Sequence, residues 1–244
     1  MTTKQIIPVV EFGEIQQRIR SFLDPWQYNP HKGFLSTTRG GKSFLIRHGL
    51  LPLYKPSRVV LIDIKPGGAR TWDGWGNKVT SLQPGFARGP NGSPHYHVMM
   101  QQGDKAIAQI TDIFELIKAE GECVLIIDDS RKVTQSKPGW NQSGNVDDLL
   151  TNGGEVGVSV LIAANSPTWI TSTIRDQCGS YFIGQMANRS AQASFANYAG
   201  IPNEYRHVLD TLKLHQFLYI DRFNGPPAIA VTNFNPEMES IQWT

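Results

Sequence analysis

The sequence predicts an α/β fold, a mainly parallel sheet flanked by helices with a C-terminal β-hairpin, and three observations support this. Short apolar runs of the kind found in buried parallel strands recur along the 244 residues. Segments compatible with helices separate these runs, so each can serve as a crossover between parallel strands. Two late apolar runs, at residues 217–222 and 228–231, flank Asn224-Gly225-Pro226, which predicts the antiparallel hairpin.

Composition excludes several classes of protein. Apolar residues make up 40% of the chain, enough for a core, and the length suits one large α/β domain or two small ones. The net charge of +2 does not indicate nucleic-acid binding, so any DNA contact must come from a local patch. Two cysteines form no disulfide framework, which favours a reduced, intracellular setting. No run is long enough to cross a bilayer and no signal peptide begins the chain, so we expect no membrane insertion.

The first part of the chain differs from the rest. Residues 6–10 could form a short edge strand, and residues 11–22 have helical spacing of apolar side chains. A Pro-containing stretch then leads to the first strongly patterned segment. We therefore divide the chain into an adaptor segment, residues 1–32, and a main domain, residues 33–244.

Residues 36–43 predict a phosphate-binding loop, because they lie between an apolar run and a segment that can be helical. Glycines allow backbone N–H groups to converge on one anion, and the helix adds its positive N-terminal end. Lys42 would reach the β- and γ-phosphates, and the Ser43 hydroxyl would hold Mg²⁺. The usual first glycine is replaced by Ser36, and a glycine-rich turn without a ligand is the alternative. The candidate nucleotide-binding residues are Ser36, Thr37, Thr38, Arg39, Gly40, Gly41, Lys42 and Ser43.

A second signal follows an amphipathic helix predicted over residues 104–119. Residues 122–129 form an apolar run that ends in two carboxylates, which is the Walker B pattern. Asp128 would bind Mg²⁺ through water, and Asp129 stands where a glutamate usually polarises the attacking water. The alternative is a buried strand closed by a turn.

A third buried strand is predicted over residues 158–164 and ends at Asn165. The amide of Asn165 could sense the γ-phosphate or position the water. Two further segments, residues 66–96 and 131–148, have little periodicity. They mix basic residues with aromatic ones, as nucleic-acid contacts do, but solvated loops are the favoured interpretation.

The order of these motifs resembles the FtsK/HerA superfamily of DNA-translocating ATPases, best over residues 33–200. Residues 59–65 look like the family's strand after the P-loop, and residues 153–167 look like its segment leading to the sensor glutamine, where Asn165 stands. The resemblance implies a RecA-like P-loop NTPase that uses ATP and Mg²⁺ in a ring. The chain departs from the family pattern at two positions besides Ser36. Asp129 stands where the family usually has a glutamate, and Gly154 stands where it usually has an arginine. The arginine that a neighbouring subunit supplies is then expected at Arg189, with Arg175 second.

Small motors of this kind are similar to the genome-packaging ATPases of membrane-containing, tailless double-stranded DNA viruses. That similarity implies a homo-hexamer that pumps double-stranded DNA into a preformed capsid. Capsid or portal-vertex proteins would be its partners, in the host cytoplasm or at the packaging vertex. Three alternatives stay open: a plasmid or conjugation-type DNA translocase, a nucleotide-binding switch that pumps no DNA, and a structural protein with a degenerate site.

Overall fold

The computed structural model describes residues 12–21, 31–54, 58–64, 70–86, 95–101, 104–134, 143–186, 189–199, 201–222 and 230–233. Nine strands are found within these ranges. They are β1 (Lys32–Leu35), β2 (Arg58–Asp63), β3 (Asn77–Val79), β4 (His95–Met99), β5 (Cys123–Asp128), β6 (Ser159–Ala164), β7 (Ser180–Ile183), β8 (Gln216–Asp221) and β9 (Ala230–Asn233). They form one sheet in the order β3-β4-β2-β5-β6-β1-β7-β8-β9.

Helices connect most of the parallel strands, as the alternation of patterns predicts. The α-helices are α1 (Phe12–Ser21), α2 (Lys42–Phe44), α3 (Asp104–Glu120), α4 (Arg131–Thr134), α5 (Ser143–Asn152), α6 (Ser172–Gln177), α7 (Arg189–Tyr198) and α8 (Arg206–Leu209). Helix α2 continues without a break into a π-helix at Leu45–Leu50.

The sheet is parallel from β3 to β7, and β8 and β9 add to it in antiparallel fashion. The predicted fold class, including the C-terminal hairpin, is therefore confirmed, although residues 223–229 between its strands lie outside the described residues. Strand β1 lies between β6 and β7. Because parallel strands end on the same side, β1, β2, β5 and β6 deliver the residues that follow them to one edge, here called the carboxyl edge.

Successive side chains of the central strands point to opposite faces of the sheet, which divides the core into two layers. Val60, Ile62 and Leu125 point to one face, where side chains of α3, α5, α6 and α7 cover them. Val59 and Leu61 point to the other face, under the π-helix and the two tryptophans Trp72 and Trp75. Buried residues on both faces of the strands explain their nearly continuous apolar sequences.

The expectation of solvated loops is wrong for parts of two segments. Strands β3 and β4 lie within or across the end of residues 66–96, and Trp72 is fully buried. Helix α4 and the start of α5 occupy the described parts of residues 131–148. Within the described ranges, no helix is both long and apolar enough to span a membrane.

Helix α1 confirms the helix expected near the start of the chain. Ile15 is fully buried in the same layer as the π-helix, and Gln16 Nε2 donates a hydrogen bond of 2.8 Å to the Gly49 carbonyl. Part of the adaptor segment thus packs on the main domain. The division at residue 32 stays a prediction, and the strand suggested for residues 6–10 lies outside the described residues.

His31, just before β1, is buried and neutral in the fold. Its Nδ1 accepts a hydrogen bond of 3.0 Å from the Val160 backbone N–H. Burial, and after it the charge of Lys32, lowers the pKa of His31 from 6.5 to about 3. As the pH falls, His31 therefore takes up a proton near pH 6.5 in the unfolded chain but stays neutral down to about pH 3 in the folded chain.

We expect this difference to make the protein less stable in mild acid. The contribution of neutral His31 to the free energy of unfolding is fully present above pH 6.5. It falls as the pH drops from 6.5 towards 3, by up to about 1.4 kcal/mol for each pH unit. Urea unfolding at pH 7.5 and pH 5 measures the loss. His31→Gln keeps an acceptor for Val160 and does not titrate, so its loss should be smaller. Equal losses in both proteins would assign the acid sensitivity to other groups.

Candidate functional site

The loop after β1 forms a compact turn at the carboxyl edge. The Gly40 N–H donates to the Thr37 carbonyl over 3.0 Å, and the Leu45 N–H donates to the Gly41 carbonyl over 2.8 Å. Gly41 caps α2 with a φ of 91°, in the left-handed region that favours glycine. The strand, loop and helix predicted for a phosphate-binding loop are all present.

Ser36, which replaces the usual first glycine, is built into the loop. Its side chain is buried, and its Oγ donates to the Gln185 carbonyl over 3.2 Å. The Thr37 N–H donates to the same carbonyl over 2.9 Å. A Cβ on Gly184 would lie 2.7 Å from Ser36 Oγ, so this glycine, which follows β7, makes room for the serine. The loop is therefore tied to the segment that leaves β7.

Both P-loop side chains with predicted roles contact the ends of neighbouring strands. Lys42 is buried, and its Nζ donates to Asn165 Oδ1 over 2.6 Å and to the carbonyls of Ser36 and Thr37 over 2.7 and 2.9 Å. Ser43 Oγ donates to Asp128 Oδ2 over 2.8 Å. The structure thus brings together four residues that the sequence placed in one site.

Asp129, directly after Asp128 at the end of β5, has an unusual backbone. Its φ of 65° lies in the left-handed region, which costs a non-glycine residue about 1–2 kcal/mol. The next N–H, of Ser130, donates to the Ala163 carbonyl over 2.8 Å and fixes the turn. Asp129 Oδ1 is buried and accepts no hydrogen bond from any described residue. Strain together with an unsatisfied acceptor is typical of a functional residue.

The two candidate arginines lie at different edges of the sheet. Arg189 starts α7, shortly after Gln185 at the carboxyl edge. Its side chain is 91% exposed, and its Nε lies 4.0 Å from Asp210 Oδ1, at the limit of an ion pair. The Arg175 carbonyl accepts a hydrogen bond of 2.7 Å from Tyr181 Oη and another from Arg222. Since Arg222 follows the strand end that pairs with Ser180, Arg175 lies near the opposite edge.

Two residues beside the site were missed by sequence reasoning. Trp72 is fully buried, and its Nε1 donates to Asp128 Oδ2 over 2.7 Å. His215, which precedes β8, lies against the P-loop, since a Cβ on Gly41 would be 2.7 Å from its Nδ1. The glycine-rich stretch around Trp72 gave no sign that this tryptophan would reach Asp128. No pattern in the sequence links His215 to Gly41, because the two are joined by tertiary packing.

The donor set fits Mg²⁺. No group of three or more His, Cys, Asp or Glu side chains converges within the described part of the chain. Mg²⁺ does not need such a cage, because it keeps several waters and binds through one or two carboxylates and substrate phosphates. The hydroxyl of Ser43 can donate to Asp128 and still offer a lone pair to the ion.

Solved structures share this fold at low sequence identity. The genome packaging NTPase B204 from Sulfolobus turreted icosahedral virus 2, in complex with ATP-gammaS, matches with a TM-score of 0.65 and 16% identity over 86% of this chain and 100% of that one. The same NTPase with AMP gives a TM-score of 0.64 and 19% identity over 84% of this chain and 97% of that one.

VirB4 of Thermoanaerobacter pseudethanolicus is also similar, with a TM-score of 0.63 and 11% identity over 88% of this chain and 93% of that one. No family model and no curated protein matches the sequence significantly. At these identities the likeness is one of fold, and it agrees with the fold that the FtsK/HerA resemblance implies.

Proposed function

We propose that the chain is an ATPase that drives translocation of double-stranded DNA, and that its task is to pump a genome into a preformed capsid. One observation carries the proposal. The P-loop is bonded to the ends of two neighbouring strands, through Lys42 to Asn165 at 2.6 Å and through Ser43 to Asp128 at 2.8 Å. Phosphates held by this loop face a carboxylate and an amide, the arrangement that phosphoryl transfer to water requires.

Each residue then has a distinct role. Lys42 and the loop N–H groups hold the β- and γ-phosphates of ATP. Ser43 and, through water, Asp128 hold Mg²⁺, which neutralises charge on the phosphates when bound. Asp129 accepts the proton of the attacking water, which suits the unsatisfied Oδ1 at its strained position. Asn165 responds to the γ-phosphate through its bond to Lys42.

Similarity to the packaging NTPase supports the more specific part of the proposal. It extends over 97–100% of that protein's chain, including its complexes with AMP and ATP-gammaS. By analogy, the chain acts as a homo-hexamer, with Arg189 completing the site of its neighbour. Capsid or portal-vertex proteins are its partners, and it works in the host cytoplasm or at the packaging vertex.

Hydrolysis of ATP with and without linear double-stranded DNA tests the proposal. We expect DNA to stimulate turnover, and Lys42→Ala to abolish hydrolysis because the γ-phosphate loses its cation. Displacement of a third strand from a DNA triplex then reports movement along the duplex. If the rate of ATP turnover is the same with and without DNA and no third strand is displaced, the chain is a nucleotide switch. Absence of any turnover would leave a structural protein with a degenerate site.

A second candidate is a conjugation-type translocase, which the likeness to VirB4 favours. Both candidates hydrolyse ATP on DNA, so the assay above does not separate them. Co-sedimentation with empty viral capsids from the chain's own source does. Capsid binding supports packaging, whereas a DNA-stimulated motor that binds no capsid supports the conjugation-type function.

Asn165→Ala is expected to lower kcat for ATP with little change in ATP affinity. The substitution removes the acceptor at 2.6 Å from Lys42 Nζ, while the two loop carbonyls at 2.7 and 2.9 Å continue to position the ammonium. Steady-state kinetics and nucleotide titration measure the two quantities separately. Asn152→Ala on the exposed end of α5 is the control. An unchanged kcat would reduce Asn165 to an amide that supports the lysine.

A further inference from the structure

Trp72 contacts the Walker B carboxylate from a segment that the site motifs do not include. Its indole Nε1 lies 2.7 Å from Asp128 Oδ2, and both residues are buried. The same oxygen accepts the hydroxyl of Ser43 at 2.8 Å. One carboxylate oxygen is therefore held by two donors, one from the P-loop helix and one from the segment after β2.

The indole itself is fixed by its surroundings. Trp75 packs on Trp72 edge to face, with ring centroids 5.3 Å apart, and Trp75 stacks on His95 of β4 at 5.0 Å. The backbone N–H of Trp75 donates to the Trp72 carbonyl over 3.1 Å. Arg47, in the π-helix, donates to the carbonyls of Thr71 and Asp73. The turn that carries Trp72 is thus held by Arg47 of the π-helix on one side and, through Trp75, by His95 of β4 on the other.

A buried tryptophan needs an acceptor for its N–H, and any nearby carbonyl could supply one. Here the acceptor is the carboxylate that the proposed function assigns to Mg²⁺. An indole N–H donates without accepting and does not titrate, so it holds the carboxylate in one orientation at every physiological pH. Donors of this kind behind a metal-binding carboxylate commonly affect metal affinity by 10- to 100-fold.

We infer that Trp72 is a positioning residue of the Mg²⁺ site, where its indole N–H orients the Asp128 carboxylate towards the hydrated ion. The inference rests on the proposed function, because that function supplies the ion. It adds a requirement that the motifs do not contain. Residues 70–76, before β3, complete the site, and a P-loop with a Walker B strand does not suffice by itself.

The test is the Mg²⁺ dependence of ADP binding, followed with a fluorescent ADP analogue and needing no turnover. Trp72→Phe keeps most of the ring and removes the N–H. We expect the Mg²⁺ concentration at half-maximal binding to rise about 10- to 100-fold, while binding of the analogue in EDTA is unchanged. Trp75→Phe is the matched control, because it alters the same aromatic cluster without a bond to Asp128. Its Mg²⁺ requirement should stay that of the wild type.

The outcomes distinguish a failure of the proposed function from a failure of the inference about Trp72. If the wild type binds no nucleotide with or without Mg²⁺, the proposed function fails. If it binds nucleotide in a Mg²⁺-dependent way but Trp72→Phe has the same requirement, the inference about Trp72 is overturned. It is overturned equally if Trp75→Phe shifts the requirement as far, because the effect would then be one of packing.

A measurement on the wild type covers the case in which Trp72→Phe does not fold. The chain has six tryptophans, so the ¹⁵N–¹H indole signal of Trp72 can be assigned by elimination with Phe variants of the others. We expect this signal to shift when Mg²⁺ is added to the ADP-bound protein. A signal that does not move would overturn the inference.

Discussion

Asp129→Asn is expected to bind ATP as the wild type does and to hydrolyse it about 10²–10⁴ times more slowly. Asparagine has the same shape but cannot accept the proton of the attacking water. It also tolerates the left-handed backbone, φ 65° here, at least as well as aspartate, so the fold should survive. Single-turnover hydrolysis measures the chemical step, and nucleotide titration measures binding.

Asp112→Asn provides the matched control, since Asp112 is exposed on α3. It loses the same charge at a site without a role, and its turnover should be normal. Normal hydrolysis by Asp129→Asn would show that another group activates the water. Weakened ATP binding in Asp129→Asn would instead place Asp129 among the residues that hold the bound nucleotide.

Arg189→Ala is expected to lower DNA-stimulated hydrolysis by about 10³–10⁵-fold, the range found for arginines that stabilise the transition state from outside the site. Its position favours it over Arg175, because it begins α7 at the carboxyl edge with a 91% exposed side chain. The ion pair with Asp210, at 4.0 Å and exposed, is too weak to hold it there. Arg175→Ala is the comparison and should keep most of the activity.

Mixing inactive subunits shows whether Arg189 acts on a neighbour. Lys42→Ala and Arg189→Ala subunits should each be inactive alone. In a mixed ring, some interfaces pair an intact P-loop with an intact Arg189, and part of the hydrolysis should return. Full activity of Arg189→Ala would transfer the role to Arg175. Equal hydrolysis by a dilute monomer would contradict a shared site for every arginine.

Much of the site could be predicted because its residues follow strong local patterns. Parallel strands buried on both faces show as continuous apolar runs, and the residues after them must share an edge. This sufficed to group Lys42, Ser43, Asp128 and Asn165, which the structure joins by hydrogen bonds. The roles of the four residues remain predictions.

What the sequence did not predict depends on tertiary contacts. Strands β3 and β4 are short and carry polar residues such as Asn77, Lys78 and His97, so no apolar run marks them. Trp72 stands in a glycine-rich stretch that resembles a solvated loop, and only its burial against the sheet brings it to Asp128. The backbone strain at Asp129 likewise follows from the turn between β5 and α4, which the Ser130 N–H ties to the Ala163 carbonyl of β6, rather than from local propensity.

The central place of β1 in the sheet has a consequence for biosynthesis. Gly33 pairs with Ile162 on one side and Tyr181 on the other, so the strand that carries the P-loop gains its partners only when those residues have been made. At ribosomal rates the wait is on the order of ten seconds. Until then β1 has no paired strands to position the P-loop, whereas β2 and β5, which pair with each other, can already assemble. A nascent chain should therefore acquire the ability to bind nucleotide only late in translation.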